Sequence, residues 1–236
     1  MIETSNIINK IFIKNLDTID YAVFDFDGTL YPNLFIFDIT KKIFMETNKN
    51  KLTELSLIAQ EYKNGNFSTA YKKFISLLSN ESEIKFINES IQIVNNSYKY
   101  AKLSIQKLKN NYNIEPYLIS ITADFIAEVV KNYFGFNEAF AIKYNIINNT
   151  RMFNGKTLDI IDSPQNMKKR MLNKLINLKN NNNFISFYDS LDDKPITESA
   201  KLKVAINPNK ETIKKSDPDV ILVDKLDPWK LFYEAL

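Results

Sequence analysis

The chain has 236 residues, of which 44% are hydrophobic and 25% are charged, and its formal net charge is +3. This composition is typical of a globular protein, and so small a net charge argues against a nucleic-acid-binding surface. The chain has neither cysteine nor histidine, which excludes disulfides, thiolate chemistry, serine–histidine catalysis, phosphohistidine chemistry and most zinc sites. An enzyme of this composition would use Asp, Glu, Lys or Tyr, and its carboxylates favour a hard cation such as Mg²⁺.

The amino-terminal residues show no basic stretch followed by an apolar one, so no signal peptide is predicted. No apolar run reaches the roughly 20 residues that span a bilayer. We therefore expect a cytoplasmic protein without a membrane partner.

The first half of the chain predicts one buried strand followed by a block of helices. Tyr21–Phe24 is a short apolar run that stops at Asp25, which is typical of a parallel strand covered on both faces. Over residues 35–112 apolar side chains recur every three or four positions, which indicates amphipathic helices. Gly65 marks the break between two of them.

The second half of the chain predicts alternating strands and helices. A strand is expected near residues 117–121, followed by a helix with Asp124 as its N-cap and Gly135 at its end. Apolar runs over residues 139–147 and 151–160 flank Asn154-Gly155, which predicts a β-hairpin with a type I′ turn at that dipeptide. The alternation continues with a helix around residues 171–176 and strands at residues 184–188, 204–206 and 220–223.

This order of elements predicts an α/β fold with a Rossmann-like parallel sheet, helices on both faces and a small inserted helical cap. Residues 1–34 and 113–236 would form the core domain, and residues 35–112 would form the cap domain.

Two acidic residues, Asp25 and Asp27, lie where the first strand should end. Ligands of open α/β sheets bind outside the carboxyl ends of the strands, so this position suits a functional site. Two neighbouring carboxylates repel each other unless a cation or hydrogen bonds compensate. The alternative is that Asp27-Gly28 only turns the chain after a strand.

Four segments occur in a characteristic order. Asp25-Phe26-Asp27-Gly28-Thr29 follows the first strand, and Tyr117-Leu118-Ile119-Ser120 is an apolar strand that ends in serine. Lys168 and Lys169 lie near the start of a helix, and the strand at residues 184–188 ends at Asp189, with Asp193 four residues later. In this order the segments resemble the four motifs of the haloacid dehalogenase superfamily.

The resemblance is to the phosphoserine-phosphatase-like branch of that superfamily. It rests on Asp189, Ser190, Asp193, Pro195 and Ala200, and on the segment Val204-Ala205-Ile206-Asn207-Pro208. It extends over residues 19–223. It implies a haloacid-dehalogenase-like fold and a Mg²⁺-dependent phosphatase that hydrolyses a small phosphorylated metabolite.

The resemblance also implies roles for the acidic residues. Asp25 would attack phosphorus and form an aspartyl-phosphate, and Asp27 would protonate the leaving oxygen and then deprotonate water. Mg²⁺ would be held by Asp25, the backbone carbonyl of Asp27, Asp189 and, through water, Asp193. Asp192 is interpreted as an acid at the start of a helix.

Ser120 would hydrogen-bond a phosphate oxygen, and Lys168 would neutralise the charge on the phosphate and on Asp25. Thr122 is an alternative to Ser120. Lys169 is an alternative to Lys168, although Lys168 is nearer to the first turn of the helix.

The chain departs from the phosphoserine-specific pattern. An acid is expected soon after the first motif, but none occurs between Thr29 and Asp38. An arginine is expected in the cap, but Arg151 and Arg170 are the only arginines and both lie outside it. We therefore predict that phosphoserine is not the preferred substrate.

The cap does carry aromatic and basic residues that could line a substrate pocket, although helix packing explains the aromatic ones equally well. These residues are Tyr31, Phe35, Phe37, Lys41 and Lys42.

Two other functions are compatible with these motifs. A phosphomutase of the same superfamily would return the phosphoryl group to the product, and a catalytically silent protein of the same fold would only bind ligand. The presence of all the motif residues argues against the second. The oligomeric state is not predicted.

Overall fold

The protein is described by a computed structural model that covers residues 13–147 and 149–236. Within these ranges the strands are β1 (Tyr21–Phe24), β2 (Glu115–Ala123), β3 (Glu138–Ile142), β4 (Tyr144–Ile147), β5 (Met152–Thr157), β6 (Phe184–Tyr188), β7 (Leu202–Ile206) and β8 (Val220–Leu222). The helices are α1 (Ile13–Leu16), α2 (Phe35–Thr47), α3 (Lys49–Lys63), α4 (Phe67–Leu77), α5 (Glu83–Ile93), α6 (Lys99–Tyr112), α7 (Asp124–Phe134), α8 (Pro164–Lys179), α9 (Lys194–Thr197), α10 (Lys210–Ser216) and α11 (Trp229–Ala235).

Six of the strands form one parallel sheet in the order β3-β2-β1-β6-β7-β8. β1 lies at the centre, where Phe24 is in register with Leu118 of β2 and Phe187 of β6. All four residues of β1 are buried, which explains why this strand is a continuous apolar run rather than an alternating one. The predicted α/β fold with a Rossmann-like parallel sheet is confirmed.

Aromatic packing connects the centre of the sheet to the carboxyl-terminal helix. The rings of Phe24 and Phe187 stack with centroids 4.5 Å apart, and Trp229 of α11 lies 5.0 Å from Phe187. The indole Nε1 of Trp229 donates a 2.8 Å hydrogen bond to the carbonyl of Thr29. Because Thr29 belongs to the loop after β1, α11 helps to hold that loop in place.

Residues 35–112 form helices α2–α6, as expected. Several hydrogen bonds join this helical block to the rest of the chain; for example, the Tyr71 hydroxyl donates to the carbonyl of Ile121, and the Ser68 hydroxyl donates to that of Ile161. α6, in contrast, lies against α11, where Lys107 Nζ donates to the carbonyl of Tyr233 at 3.0 Å.

The predicted hairpin exists, but its predicted turn is wrong. β4 pairs with β5 antiparallel, and the chain turns between Ile147 and Met152 rather than at Asn154-Gly155. That dipeptide lies inside β5, where the register shifts and Gly155 has a φ of +74°. The positive φ that suits a type I′ turn is therefore used in a bulge.

The extent of the hairpin also differs from the prediction. Residues 139–147 form two strands, since Glu138–Ile142 belongs to the main sheet and only Tyr144–Ile147 belongs to the hairpin. Helix α7 begins at Asp124, but Asp124 does not cap it: its Oδ1 accepts a hydrogen bond from the backbone N–H of Tyr144, 3.3 Å away.

Among the helices of the described residues, none is both long and apolar enough to cross a membrane.

Candidate active site

The predicted site residues come from four separated parts of the chain and meet at the carboxyl ends of β1, β2 and β6. A cavity of about 220 Å³ is lined there by most of them: Asp25, Asp27, Ser120, Lys168 and Asp189. Asp193 does not line this cavity, but it is fully buried and contacts Lys168. Residues far apart in sequence thus form one site because parallel strands end at the same edge of the sheet.

The loop after β1 is held by backbone hydrogen bonds, both within the loop and to β6. The N–H of Asp25 donates to the carbonyl of Phe187, and the N–H of Gly28 donates to that of Tyr31 at 2.7 Å. Gly28 has a φ of +81°, and a Cβ atom at this residue would lie 2.2 Å from Oδ2 of Asp189. Residue 28 therefore has to be glycine both for its backbone conformation and for the approach of Asp189.

Lys168 joins two of the carboxylates. Its Nζ donates to Oδ1 of Asp25 at 2.8 Å and to Oδ1 of Asp193 at 2.6 Å, and all three side chains are at least 95% buried. Burial lowers the pKa of Lys168, but the two carboxylates raise it more, so the pKa lies above its usual value and the ammonium is retained.

The choice between the two neighbouring lysines follows from the helix. Ser163 caps α8 by accepting a hydrogen bond from the N–H of Asn166, which starts the helix at Pro164. Lys168 then lies on the buried face, whereas Lys169 is exposed to solvent. Lys168 is therefore the lysine that reaches the carboxylates.

Three carboxylates form a cluster that fits a divalent cation. One oxygen from each of Asp25, Asp189 and Asp193 lies within 4.8 Å of the others. Oδ2 of Asp193 is buried and has no hydrogen-bond partner among the described residues. Mg²⁺ prefers oxygen ligands such as carboxylates, and a buried carboxylate oxygen without a hydrogen-bond partner is available to bind it. The three aspartates therefore fit the Mg²⁺ ion that the sequence motifs imply.

Asp27 faces the same cavity in a different environment. Its Oδ1 accepts a 2.7 Å hydrogen bond from the backbone N–H of Phe35. Burial, with a smaller contribution from Asp25, raises its pKa from 3.8 to about 7, against the lowering effects of the Phe35 N–H and Lys168. A carboxyl group with this pKa can carry a proton at neutral pH.

Asp189 is affected in a similar way. Burial and the nearby Asp25 raise its pKa from 3.8 to about 7 without bound metal. The repulsion between these carboxylates is the electrostatic cost that a bound cation would relieve.

Of the two hydroxyl candidates on β2, Ser120 lines the cavity and Thr122 does not. Ser120 Oγ also accepts a 3.4 Å contact from the backbone N–H of Thr122. Asp192 lies in the first turn of a short 3₁₀ helix, Leu191–Asp193, directly before α9, which agrees with its interpretation as a helix-start acid, and it also lines the cavity.

Sequence patterns did not single out several aromatic residues of the cavity wall. Tyr62, Phe67 and Tyr71 line it from α3 and α4, together with Phe37 of α2, which was a candidate. Of the other cap candidates, Tyr31 and Phe35 are buried in the core. The spacing of aromatic residues on a helix signals a buried face, but it does not separate core packing from a cavity wall.

The two candidate lysines of α2 do not line this cavity. Lys41 lines an adjoining cavity, which lies beside α2 and α3 and shares Asp27 and Asp189 with the first. Lys42 forms an ion pair with Glu89.

Comparisons with solved structures identify the fold. A structure described as a phospho-aspartyl intermediate analogue of phosphoserine phosphatase is 22% identical, with a TM-score of 0.68 over 92% of this chain and 99% of that one. A HAD family hydrolase from Salmonella enterica subsp. enterica serovar Typhi is 18% identical, with a TM-score of 0.69 over 86% of this chain and 68% of that one. A protein with unknown function from Bordetella pertussis Tohama I is 16% identical, with a TM-score of 0.72 over 86% of this chain and 98% of that one.

These similarities confirm the predicted haloacid-dehalogenase-like fold. No family model matches the chain, and no curated protein sequence does.

Proposed function

We propose that this chain, which has the fold of the haloacid dehalogenase phosphatases, is a Mg²⁺-dependent hydrolase of small phosphate monoesters. The observation that carries the proposal is the contact of Lys168 with Asp25, in a cavity that also holds Asp27. A buried lysine beside an acidic cluster provides a binding place for a phosphoryl group next to a carboxylate that can attack it.

Asp25 is the proposed nucleophile. Its carboxylate oxygen bonds to phosphorus while the bond from phosphorus to the ester oxygen breaks, and Asp27 gives its proton to the departing alkoxide. Water then attacks phosphorus, Asp27 takes the proton from that water, and the bond between phosphorus and Asp25 breaks to release phosphate. A similar structure is described as a phospho-aspartyl intermediate analogue of phosphoserine phosphatase, which supports a covalent step in this fold.

The protonation state of Asp27 supports its proposed role. With a pKa raised to about 7, Asp27 can donate a proton in the first step and accept one in the second near neutral pH. The hydrogen bond from the Phe35 N–H holds Asp27 Oδ1 in one position, so that the carboxyl group is oriented before substrate binds.

Lys168 and Ser120 are proposed to bind the phosphoryl oxygens. Lys168 already lies 2.8 Å from Asp25, so its ammonium can offset negative charge both on the nucleophile and on the phosphoryl group. Ser120 lines the same cavity and supplies a hydroxyl donor.

Mg²⁺ would be held by the carboxylates of Asp25 and Asp189, the backbone carbonyl of Asp27 and, through water, Asp193. When bound, the ion supplies positive charge that polarises a phosphoryl group and lowers the repulsion between the carboxylates.

We also propose that residues 35–112 act as the cap domain over a core of residues 1–34 and 113–236. Phe37, Tyr62, Phe67 and Tyr71 of this block line the cavity opposite the motif residues, which supports this role. Within this block, α6 packs against α11 of the core, so α6 joins the cap to the core. A cavity of about 220 Å³ suits a small phosphorylated metabolite.

Phosphate release from a panel of small phosphate monoesters, measured with Mg²⁺ and with chelator, tests the proposal. We expect release that requires Mg²⁺, is lost in Asp25→Asn and is retained in Asp17→Asn, because Asp17 is exposed. Release that persists in Asp25→Asn would contradict the assignment of the nucleophile.

A further inference from the structure

The cavity beside Asp25 has an aromatic wall on the side of the helical block. This wall consists of four rings from α2, α3 and α4, namely Phe37, Tyr62, Phe67 and Tyr71. The motif residues supply the groups proposed to hold the phosphoryl group, so the aromatic wall is left for the alcohol part of the ester. The chemistry of this wall therefore decides which alcohols the site favours.

The four rings of the aromatic wall form a continuous row. The ring centroid of Tyr62 lies 6.2 Å from that of Phe37 and 5.5 Å from that of Phe67. Phe67 in turn stacks on Tyr71 at 5.3 Å. The plane of Tyr62 is inclined by 58° to Phe37 and by 65° to Phe67, so the wall is not flat. Because each ring is held by another ring, the wall is formed before any ligand binds.

The hydroxyl of Tyr71 is already occupied. It donates to the carbonyl of Ile121 at 2.8 Å and accepts from the hydroxyl of Tyr144 at 3.1 Å. With both interactions made, Tyr71 offers its ring to the cavity rather than a polar group.

Carboxylates outnumber basic groups at this cavity. Lys168 is the only basic side chain among the described residues that line it. Five acids line the cavity or contact Lys168: Asp25, Asp27, Asp189, Asp192 and Asp193. Even with Mg²⁺ bound and Asp27 protonated, the four remaining carboxylates outnumber the three positive charges of the ion and Lys168, and a phosphoryl group adds negative charge. This surplus favours a positive charge on the alcohol.

Asp192 is the acid for which neither the metal nor Lys168 is a partner. It does not belong to the three carboxylates that fit Mg²⁺, and within the described part of the chain its side chain accepts no hydrogen bond and forms no ion pair. Burial raises the pKa of Tyr62 most, and the charge of Asp192 is the next largest cause. Asp192 therefore lies close enough to the aromatic wall to face a cation that contacts the rings.

A quaternary ammonium group suits this combination of rings and carboxylate. It has no N–H group and needs no hydrogen-bond acceptor, and it is attracted to aromatic rings. Its methyl groups can also pack on the apolar side chains of Leu34 and Ile121, which line the same cavity. An uncharged group of the same shape would make the same apolar contacts without the attraction to the rings and to Asp192.

The adjoining cavity does not reverse this balance of charge. It shares Asp27 and Asp189 with the first cavity and adds Asp38 and Lys41. Lys41 is exposed, and it is the only basic side chain among the described residues that line this second cavity. Carboxylates thus outnumber basic side chains in both cavities.

On the basis of the proposed function, we propose that the site favours phosphate monoesters of small alcohols that carry a quaternary ammonium group. The aromatic wall would surround this group on one side, and the carboxylate of Asp192 would face its positive charge.

Binding of three phosphonates to the Mg²⁺-loaded protein tests this selectivity by calorimetry. In each, CH₂ replaces the bridging oxygen of a phosphate ester, so that no turnover is possible. The first is the analogue of phosphocholine, which carries a trimethylammonium group. The second is the 3,3-dimethylbutyl analogue, which has the same shape without the charge. The third is the analogue of phosphoethanolamine, which has the charge without the methyl groups.

We expect the phosphocholine analogue to bind at least about fivefold more tightly than the 3,3-dimethylbutyl analogue, because only the former is attracted to the rings and to Asp192. It should also bind more tightly than the phosphoethanolamine analogue, whose ammonium group gives up hydrogen bonds to water. A smaller preference over the uncharged analogue, tighter binding of either other analogue, or no measurable binding of the phosphocholine analogue would overturn the proposal.

Variants of the wall and of the acid test where the cation lies. Asp192→Asn removes the charge and Phe67→Leu removes a ring, and each should lower the preference for the phosphocholine analogue over the 3,3-dimethylbutyl analogue about threefold or more. Both ligands carry the same phosphonate, so this ratio is insensitive to any change at the metal. Phe86→Leu removes a buried ring of α5 that packs against Phe153 and should leave the ratio unchanged. An unchanged ratio in Asp192→Asn or Phe67→Leu would overturn the proposed position of the cation.

These experiments can fail independently of the proposed function. Mg²⁺-dependent phosphate release without a preference for the phosphocholine analogue would overturn only the selectivity. A clear preference without phosphate release from any monoester, phosphocholine included, would overturn only the hydrolase proposal.

Discussion

A Cβ atom on Gly28 would lie 2.2 Å from Oδ2 of Asp189, so the loop after β1 meets the loop after β6 only because residue 28 lacks a side chain. This approach brings two motifs together that are far apart in sequence, since Gly28 and Asp189 are separated by 161 positions (189 − 28). It explains in physical terms why a glycine follows the acidic pair.

Gly28→Ala should therefore displace Asp189 as well as strain the backbone. We expect Mg²⁺ affinity to fall about tenfold or more, by loss of a carboxylate ligand, as measured by calorimetric titration. Gly65→Ala is the control, because Gly65 has a similar φ of +86° and no atom within 4 Å of its added Cβ. Both variants should lose about 1–2 kcal/mol of stability from the positive φ; equal Mg²⁺ affinities in the two would refute the role of the contact.

Lys168→Met should be strongly destabilising, because it leaves Asp25 and Asp193 buried without their shared cation. Loss of one partner of a buried ion pair costs about 3–5 kcal/mol, which urea unfolding of the metal-free protein measures. Lys169→Met changes the neighbouring exposed residue and should alter the free energy of unfolding by less than about 0.5 kcal/mol. Similar losses in both variants would show that the buried contact contributes little.

The stability of the metal-free protein should decrease as pH rises from about 4 to about 7. The pKa values of Asp27 and Asp189 are raised from 3.8 to about 7 in the fold. Over this interval the folded state keeps protons that the unfolded state has released, so raising the pH favours unfolding. Mg²⁺ prefers ionised carboxylates and should therefore raise the melting temperature more at pH 8 than at pH 5.

Thermal unfolding in chelator and in excess Mg²⁺ at these two pH values measures both effects. Asp27→Asn should flatten the pH dependence in chelator. A metal-free melting temperature that is higher at pH 8 than at pH 5 would show that the raised pKa values do not govern stability.

Asp27→Asn should affect substrates according to how much their leaving group needs a proton. For an alkyl phosphate, kcat/KM should fall about 10²–10⁴-fold, because Asn cannot protonate the alkoxide. The fall should be much smaller for 4-nitrophenyl phosphate, whose phenolate leaves without a proton. Asp38→Asn neutralises the carboxylate that accepts from the Tyr31 hydroxyl and should change kcat/KM equally for both substrates. Equal falls in Asp27→Asn would argue against general acid catalysis.

The fold could be predicted from the sequence because its signals are local. The apolar run predicts β1 from four neighbouring residues, and the three- and four-residue spacing over residues 35–112 predicts helices from a few turns at a time. The position of the hairpin turn could not be predicted in this way. Asn80 and Glu81 hydrogen-bond to the backbone of Phe153, and this contact from a distant segment holds β5 in a register that places Asn154-Gly155 in a bulge.

The site could be predicted in part. Asp189 directly follows a predicted strand and Asp193 comes four residues later, so both carboxylates could be predicted to lie near Asp25, as they do. Lys168 could have been distinguished from Lys169 by helix periodicity, because Lys168 shares the apolar face of Met171 and Leu172. The aromatic wall could not be predicted, because whether a buried ring faces the core or a cavity depends on how helices from different segments pack.

Asp25 is the residue proposed to carry the phosphoryl group. Acid quenching during turnover, reduction with borohydride and peptide mass mapping test it directly, because an aspartyl-phosphate is reduced to homoserine whereas a free carboxylate is not. We predict reduction at Asp25 that depends on substrate and Mg²⁺. Phosphate release with an unmodified Asp25, or with reduction at another carboxylate, would contradict the mechanism.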